Sequence, residues 1–253
     1  MLHLETEKTR IEEVLFSECP QASVGIRMKM RALYRAYGTG YPFCSYYISE
    51  DGCAAAVLFH SSLLFSDTKR RSLFWEDSLA ALPVSNISSD TPLDMDGYAE
   101  KHGTFFQFDN AAPVQGGDIL TYGNIDAAYR ILREVFPDTF VQGNELEQKD
   151  FYMQWYCEMS HRIRHGVTDV AVLDDKATAT VYCIEQDAIF FSQVGVLPGL
   201  RGGGYGRRLL TGMMQKYAGK RCYVFSKNPN ADRFYTALGF TPAGSWQDYI
   251  RKD

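Results

Sequence analysis

Apolar residues recur along the chain at two spacings, and each spacing predicts one kind of element. Ile11, Val14 and Leu15 repeat at steps of about one helical turn, and a looser stripe over 26–34 predicts a second helix. The segment 44–66, CSYYISEDGCAAAVLFHSSLLFS, instead alternates strand-forming runs with turn residues, and Asp51-Gly52 marks a hairpin. We therefore expect two helices followed by three antiparallel strands.

The middle of the chain is less regular. Residues 66–100 are polar and irregular, after which GTFFQF at 103–108 is typical of a strand. The segment 124–136, NIDAAYRILREVF, predicts a helix with Asn124 as its N-cap, because an asparagine oxygen accepts from the free N–H groups of a first helical turn. We expect 141–150, VQGNELEQKD, to be a linker.

The outline of the first part returns after this linker. A helix over 151–166, ended by Gly166, is followed by three strands over 168–196. The remaining predicted elements are a helix over 209–217, the strand RCYVFS at 221–226, a short helix ending at Leu238 and a last strand from 241. Strands separated by a helix are usually parallel, so the sequence predicts an α/β fold with a mixed sheet. We expect two tandem related domains, 1–145 and 146–253.

Composition narrows the class of function. With 45% hydrophobic and 23% charged residues, the 253-residue chain is typical of globular proteins, and its length allows two modest domains. A net charge of −5 provides no excess of lysine and arginine for a phosphate backbone, which argues against a nucleic-acid partner. No apolar run approaches the roughly 18 residues of a membrane span, so no membrane contact is expected.

The cysteines and histidines do not predict a metal site. Six cysteines, at 19, 44, 53, 157, 183 and 222, form no CxxC pair and no cluster with zinc-ligand spacing. His161 and His165 lie one helical turn apart in HRIRH, which lacks the glutamate of an HExxH site. Free thiols and the absence of a secretory leader favour a cytoplasmic protein.

Two glycine-rich stretches are candidate anion sites: RGGGYGRRLL at 201–210 and RAYGTGYPF at 35–43. Backbone N–H groups bind phosphate where they converge at a helix N-terminus, and glycine permits close approach. The first stretch opens a helix, and Arg207 and Arg208 there are best explained by a bound polyanion. The second stretch ends a helix, so we interpret its glycines as a C-cap and turn. The chain has no GxxxxGK[ST] motif, and the first stretch follows a late strand, which argues against other nucleotide folds.

The glycine-rich stretch at 201–210 belongs to the first of two motifs in the C-terminal half of the chain. VLPGLRGGGYGRRLL is followed, after the strand at 221–226, by NPNADRFYTALGF. Together they resemble the acetyl-CoA-binding pattern of the GNAT superfamily of N-acetyltransferases. The matching positions are Arg201, Gly204 and Gly206 of an R/Q-x-x-G-x-G/A loop, then Asn228, Ala231, Tyr235 and the closing Leu238-Gly239-Phe240. The resemblance covers residues 150–253 by motif and the first half by outline only.

The resemblance implies a GNAT-like acyl-CoA N-acyltransferase fold, with a degenerate copy in the N-terminal half. The residues implied in holding the pyrophosphate of coenzyme A are Arg201, Gly202, Gly203, Gly204, Tyr205, Gly206 and Arg207. The pantetheine arm would pair with the strand at Val194 and Val196. Asn228 would contact that arm or cap the short helix.

The reaction implied is direct attack of an amine on a thioester, without a nucleophilic cysteine. A bulge at Gly195 would aim the Val194 N–H at the thioester oxygen, although VGV also fits an ordinary buried strand. Tyr235 resembles the family's general acid and would donate a hydrogen bond to the departing thiolate, the alternative being a packing role.

The general base is less well defined by the sequence. Many relatives carry a glutamate on the strand that here offers Ser192 and Gln193. We assign the base to Glu185, with Glu158 as the alternative, acting through water.

The leading hypothesis is an acetyl-CoA-dependent N-acetyltransferase acting on a primary amine of a small molecule or peptide. The alternative is a non-catalytic acyl-CoA-binding regulatory or scaffolding protein, supported by the missing glutamate. The N-terminal half would shape the acceptor slot or an oligomer interface, which leaves a homodimer open.

Overall fold

The computed structural model describes residues 1–71, 74–110 and 118–252. The chain forms two compact units, a first unit, Met1–Gln107 with Val224–Asp253, and a second unit, Phe108–Tyr223. The chain therefore returns to the first unit after completing the second. The predicted domain boundary between residues 145 and 146 lies at the start of a helix of the second unit and stays a prediction.

Helices and strands alternate through both units. The helices are α1 Lys8–Phe16, α2 Val24–Tyr37, α3 Glu76–Ala80, α4 Ile125–Val135, α5 Pro137–Phe140, α6 Glu145–Arg164, α7 Tyr205–Lys216 and α8 Pro229–Ala237. The strands are β1 Leu2–Glu5, β2 Cys44–Ser49, β3 Ala54–Phe59, β4 Ser62–Asp67, β5 Asn86–Ser89, β6 Tyr98–Phe108, β7 Thr121–Tyr122, β8 Asp169–Leu173, β9 Ala177–Ile184, β10 Ala188–Val196, β11 Arg221–Ser226 and β12 Thr241–Arg251. Short 3-10 turns lie at Gln21–Ser23 and Pro198–Leu200.

The first unit is built on a mixed sheet with the strand order β1-β2-β3-β4-β5-β12-β6. All neighbours in it are antiparallel except β4 and β5, which are parallel. The three predicted antiparallel strands are confirmed as β2, β3 and β4. Gly52, with a φ of 67°, makes the turn between the first two, and the Asp51 carboxylate accepts the Cys53 N–H at 3.1 Å.

The predicted helical faces of the first unit are confirmed. Ile11, Val14 and Leu15 of α1 are all buried. Helix α2 ends at Gly38, whose φ is 56° and whose N–H donates to the Tyr34 carbonyl at 2.7 Å. The second glycine-rich stretch is therefore a helix C-cap, as expected from its place in the sequence.

The second unit carries the antiparallel order β10-β9-β8-β7. Helix α4 starts as predicted, with the Asn124 side chain accepting the Ala127 N–H at 3.0 Å. The expected linker over 141–150 is wrong in its second half, because α6 begins at Glu145. A capping box made by Asn144 and Glu147 starts this helix six residues earlier than the apolar pattern indicated.

Candidate active site

Strand β10 carries a bulge in its second half. Against β9, Ser192 pairs with Thr180 and Gly195 with Thr178, so β10 contains one extra residue between these two pairs. Gln193 adopts a left-handed φ of 49°, and its side-chain oxygen accepts the Thr180 hydroxyl at 3.0 Å. Val194 follows within the bulge, without a partner in the β9 register.

Gly195 has a different role from the one expected. The residue with positive φ is Gln193, whereas a Cβ at Gly195 would lie 3.0 Å from Val135 Cγ1. The glycine therefore lets the last turn of α4 pack directly on the bulged strand. The bulge predicted from VGV is confirmed in place, but its backbone geometry is set by Gln193.

The glycine loop lies between a 3-10 turn and α7. Gly202 and Gly204 have φ values of 83° and 80°, a region that side chains other than glycine rarely adopt. A Cβ at Gly203 would lie 3.2 Å from the Leu200 carbonyl oxygen. All three glycines are exposed, and Gly204 is the N-cap residue of α7. Helix α7 thus begins at Tyr205, four residues before the start that the apolar pattern indicated.

The N-terminus of α7 is open, unlike those of α4 and α6 in the second unit. The first turns of α4 and α6 are closed by Asn124 and Asn144 and contain acidic residues. Helix α7 has no side-chain cap and no acidic residue in its first turn, and the first bond into the helix is donated by the Arg208 N–H to the Gly204 carbonyl. The N–H groups of Tyr205 and Gly206 are therefore available to an anion, which the helix dipole also favours.

Positive side chains surround this helix start. Lys176 Nζ lies 5.3 Å from the Tyr205 ring centroid. Arg201 donates to the Val196 carbonyl at 3.4 Å, and Arg207 is exposed. These charges favour a polyanion at the loop.

The expectation for Arg208 is wrong. Its guanidinium donates to both carboxylate oxygens of Asp118, at 2.9 and 2.7 Å, and lies 3.5 Å from Asp174. These carboxylates neutralise Arg208, which therefore anchors the segment before β7 to α7. Sequence reasoning missed this pair because Asp118 lies 90 residues away.

Tyr235 lies in the part of the first unit that follows β11. Its ring packs edge-on against Phe240 at 5.6 Å and tilted against Phe106 at 5.9 Å, and the side chain is buried. No described residue hydrogen-bonds its hydroxyl. Burial raises the pKa of the Tyr235 phenol, so the hydroxyl stays protonated and is suited to donate a hydrogen bond.

Asn228 caps the short helix, the second of its two expected roles. Its side-chain oxygen accepts the Ala231 N–H at 3.0 Å at the start of α8. The residue is exposed, and the cap leaves its NH₂ group for a ligand. The structure therefore accounts for this asparagine without a cofactor, and contact with the pantetheine arm stays a prediction.

The structure separates the expected base from the bulge. Glu185 lies in the turn before β10, and the strand from Ala188 to Val194 spans about 20 Å at 3.3 Å per residue. The backbone carbonyl of Glu185 accepts a hydrogen bond from Lys220 Nζ at 2.5 Å.

The alternative base, Glu158, lies on α6. The same helix carries His161 and His165, whose ring centroids are 4.1 Å apart.

Three of the six cysteines, Cys44, Cys183 and Cys222, are buried core residues. Burial raises the pKa of the Cys222 thiol to about 12 and that of Cys44 to about 11, so both are protonated at neutral pH. All six cysteines are free. Among the described residues, no three histidine, cysteine or carboxylate side chains cluster as metal ligands would.

A sequence profile of the acetyltransferase (GNAT) family matches residues 125–240, from the start of α4 to the end of the second motif. Residues 125–240 form a GNAT acetyltransferase domain. The predicted family is thereby confirmed. The matched region begins 21 residues before the predicted boundary at residue 146. It therefore adds α4, α5 and the first residue of α6 to the predicted C-terminal domain.

Three solved structures, two of them titled as GNAT proteins, align with most of the chain. A GCN5-related N-acetyltransferase from Kribbella flavida covers 94% of this chain and 97% of its own, with a TM-score of 0.56 at 12% identity. A tandem GNAT protein from the clavulanic acid biosynthesis pathway covers 98% of each chain, with a TM-score of 0.56 at 12% identity. A Drosophila protein covers 98% of each chain, with a TM-score of 0.60 at 11% identity. The predicted fold class is confirmed, and no curated protein matches the sequence.

Outside the GNAT motifs, the sequence contained no signal for the conformation of Gln193. Gln193 is not a residue type that favours positive φ, and its conformation depends on Thr180 of the neighbouring strand. Across the described ranges, no helix has the length and apolar content needed to cross a membrane.

Proposed function

We propose that this GNAT protein is an acetyl-CoA-dependent N-acetyltransferase that acylates a primary amine of a small molecule or peptide. The observation that supports this best is the uncapped start of α7, where two glycines of positive φ, Gly202 and the N-cap Gly204, expose backbone N–H groups. The family match makes an acyl-CoA the expected occupant.

The residues present fit coenzyme A at this helix start. The N–H groups between Gly202 and Gly206 would hold the pyrophosphate, with Arg201 and Arg207 adding positive charge. The edge of β10 at Val194 and Val196 would hold the pantetheine arm. When bound, acetyl-CoA supplies an acyl group activated as a thioester.

The chain's own groups would stabilise the reacting thioester by hydrogen bonds. The Val194 N–H, released from the β9 register by the bulge, would donate to the thioester oxygen, a contact worth a few kcal/mol where it is well formed. The Tyr235 hydroxyl would donate a hydrogen bond to the leaving sulfur. An alkylamine with a pKa of about 10.4 is mostly charged at neutral pH, so a proton must leave it before attack. We propose water as its acceptor, because β10 contains no carboxylate between Ala188 and Val196.

Calorimetric titration with acetyl-CoA tests the proposal. Gly206→Glu places a carboxylate in the first turn of α7, where the helix dipole stabilises it, so the variant should fold. Repulsion between this carboxylate and a phosphate about 4 Å away, at an effective dielectric constant near 20, is roughly 4 kcal/mol and weakens binding about 1,000-fold. Gly40→Glu is the matched control, because it adds the same charge in open space in the other glycine stretch. Equal binding by the wild type and both variants would show that the N–H groups between Gly202 and Gly206, the phosphate cradle, do not hold the pyrophosphate.

The second candidate is an acyl-CoA-binding protein without turnover, and the absence of a carboxylate on β10 favours it. Tyr235→Phe separates the two candidates. For an enzyme, the variant keeps its affinity for acetyl-CoA and loses at least about ten-fold in kcat with a reactive amine. If the wild type binds acetyl-CoA but acetylates no member of a broad amine panel, the second candidate is supported.

A further inference from the structure

The first unit repeats the chain order that builds the cradle in the second. In the second unit, antiparallel β9 and β10 are followed by the glycine loop and α7. In the first unit, antiparallel β3 and β4 are followed by a connecting segment and α3, after which β5 returns parallel to β4. The exit of β4 is therefore the place where the first unit would bind an anion.

The carboxylate of Asp67, the last residue of β4, occupies that exit. It accepts the backbone N–H groups of Lys69 at 3.0 Å and Arg71 at 3.1 Å. It also accepts two guanidinium bonds from Arg71, at 2.9 and 3.1 Å, and the Trp75 indole N–H at 2.9 Å. Asp67 is fully buried. Five N–H donors thus converge on one internal anion, in the manner in which a loop of this kind binds a phosphate.

The charges around Asp67 are balanced within the chain. Burial alone raises the pKa of this carboxyl, but the bonds from Arg71 and Trp75 outweigh it and hold the pKa below its ordinary value. Arg71 also binds Asp51 at 2.9 Å, and Lys69 binds the same oxygen of Asp51 at 3.1 Å. The Arg71 guanidinium lies 5.0 Å from the Trp75 ring centroid. The carboxylates of Asp51 and Asp67 thus balance the charges of Lys69 and Arg71.

The space beside β4 is closed as well. Strands β4 and β5 pair in parallel from Ser62 with Asn86 to Phe65 with Ser89. This pairing uses the edge of β4 along which an extended ligand arm would otherwise pair.

We infer that Asp67 is an internal substitute for a ligand phosphate, so that the first unit holds an anion site filled by its own side chain. As a consequence, each chain binds one acyl-CoA, through the second unit. This consequence rests on the proposed function, whereas the assignment of Asp67 does not.

The number of acetyl-CoA molecules bound per chain tests the consequence. We expect one equivalent for the wild type and none for Gly206→Glu. Two equivalents for the wild type, with one of them retained by the variant, would overturn the inference while leaving the proposed function intact. No binding by the wild type would instead overturn the proposed function, and the assignment of Asp67 would then be decided by the next experiment.

Replacement of Asp67 tests the anion site directly. Asp67→Ala leaves the donors of Lys69, Arg71 and Trp75 without their acceptor and is expected to lower the Tm. Added inorganic phosphate should raise the Tm of this variant in a concentration-dependent way, beyond sodium chloride of equal ionic strength. The wild type and Asp77→Ala, which changes an exposed aspartate of α3, keep the glycine loop before α7, so their phosphate response is the baseline that Asp67→Ala should exceed. An equal phosphate response in all three proteins, or none in Asp67→Ala, would show that the exit of β4 is not an anion site. If Asp67→Ala does not fold, Asp67→Ser, which is also smaller than aspartate but keeps one hydrogen-bond acceptor for these donors, is tested in the same way.

Discussion

Asp90 is a buried carboxyl of the first unit whose ionisation should destabilise the fold. It lies directly after β5 and is 1% exposed. The Thr91 hydroxyl donates to one of its oxygens at 3.0 Å, and the other oxygen is buried without a hydrogen bond to a described residue. Burial raises the pKa of Asp90 from 3.8 to about 6, an effect that the nearby Ser66 and Thr91 hydroxyls and the Arg27 charge only partly offset.

The direction of the pH dependence follows from this shift. Between pH 3.8 and 6 the folded protein holds a proton on Asp90 that the unfolded chain has released, so the free energy of unfolding falls as pH rises. The full loss is about 3 kcal/mol, because each pKa unit corresponds to about 1.36 kcal/mol. About 1.4 kcal/mol of it is lost between pH 5 and pH 7.5.

Urea unfolding of the wild type and of Asp90→Asn at both pH values measures this term. Asparagine keeps the shape and cannot ionise, so we expect the variant to gain stability relative to the wild type by about 1.4 kcal/mol between pH 5 and 7.5. The same change at the exposed Asp94 serves as the control. An unchanged pH profile, with Asp90→Asn less stable at pH 7.5, would show that Arg27 fully compensates a charged Asp90 and would refute the reasoning.

Three further substitutions test packing and capping. Gly195→Ala puts a methyl group against Val135 and should lower both the Tm and the affinity for acetyl-CoA, and Val135→Ala in the same chain should restore part of each loss. Asn144→Ala removes the capping box of α6, and urea titration should show a loss of about 1 kcal/mol. Gly103→Ala would overlap the Ser226 carbonyl and the Trp246 indole, so we expect a loss above about 3 kcal/mol by the same measurement. A neutral result at Gly103 would mean that β6 and β12 can separate at little cost.

Much of the fold could be predicted from local patterns. The buried face of α1, the hairpin at Gly52, the C-cap at Gly38 and the cap at Asn124 each depend on residues close together in the chain. For the same reason the GNAT motifs marked the glycine loop before α7. Elements with weak local patterns were missed, and these include α3 and β5, which lie in the segment 66–100 expected to be irregular.

The sequence by itself indicated the GNAT family, through the motifs at 201–206 and 228–240, and the glycine N-cap of α7 at Gly204. Both could be predicted because backbone conformation and helix capping depend on residues close together in the chain. Tertiary structure alone decided the rest. Thr180 holds Gln193 in the bulge, Asp118 neutralises Arg208, and five donors gather on Asp67. Each of these depends on packing that brings a specific donor within about 3 Å of an acceptor, and neither residue spacing nor composition specifies that distance.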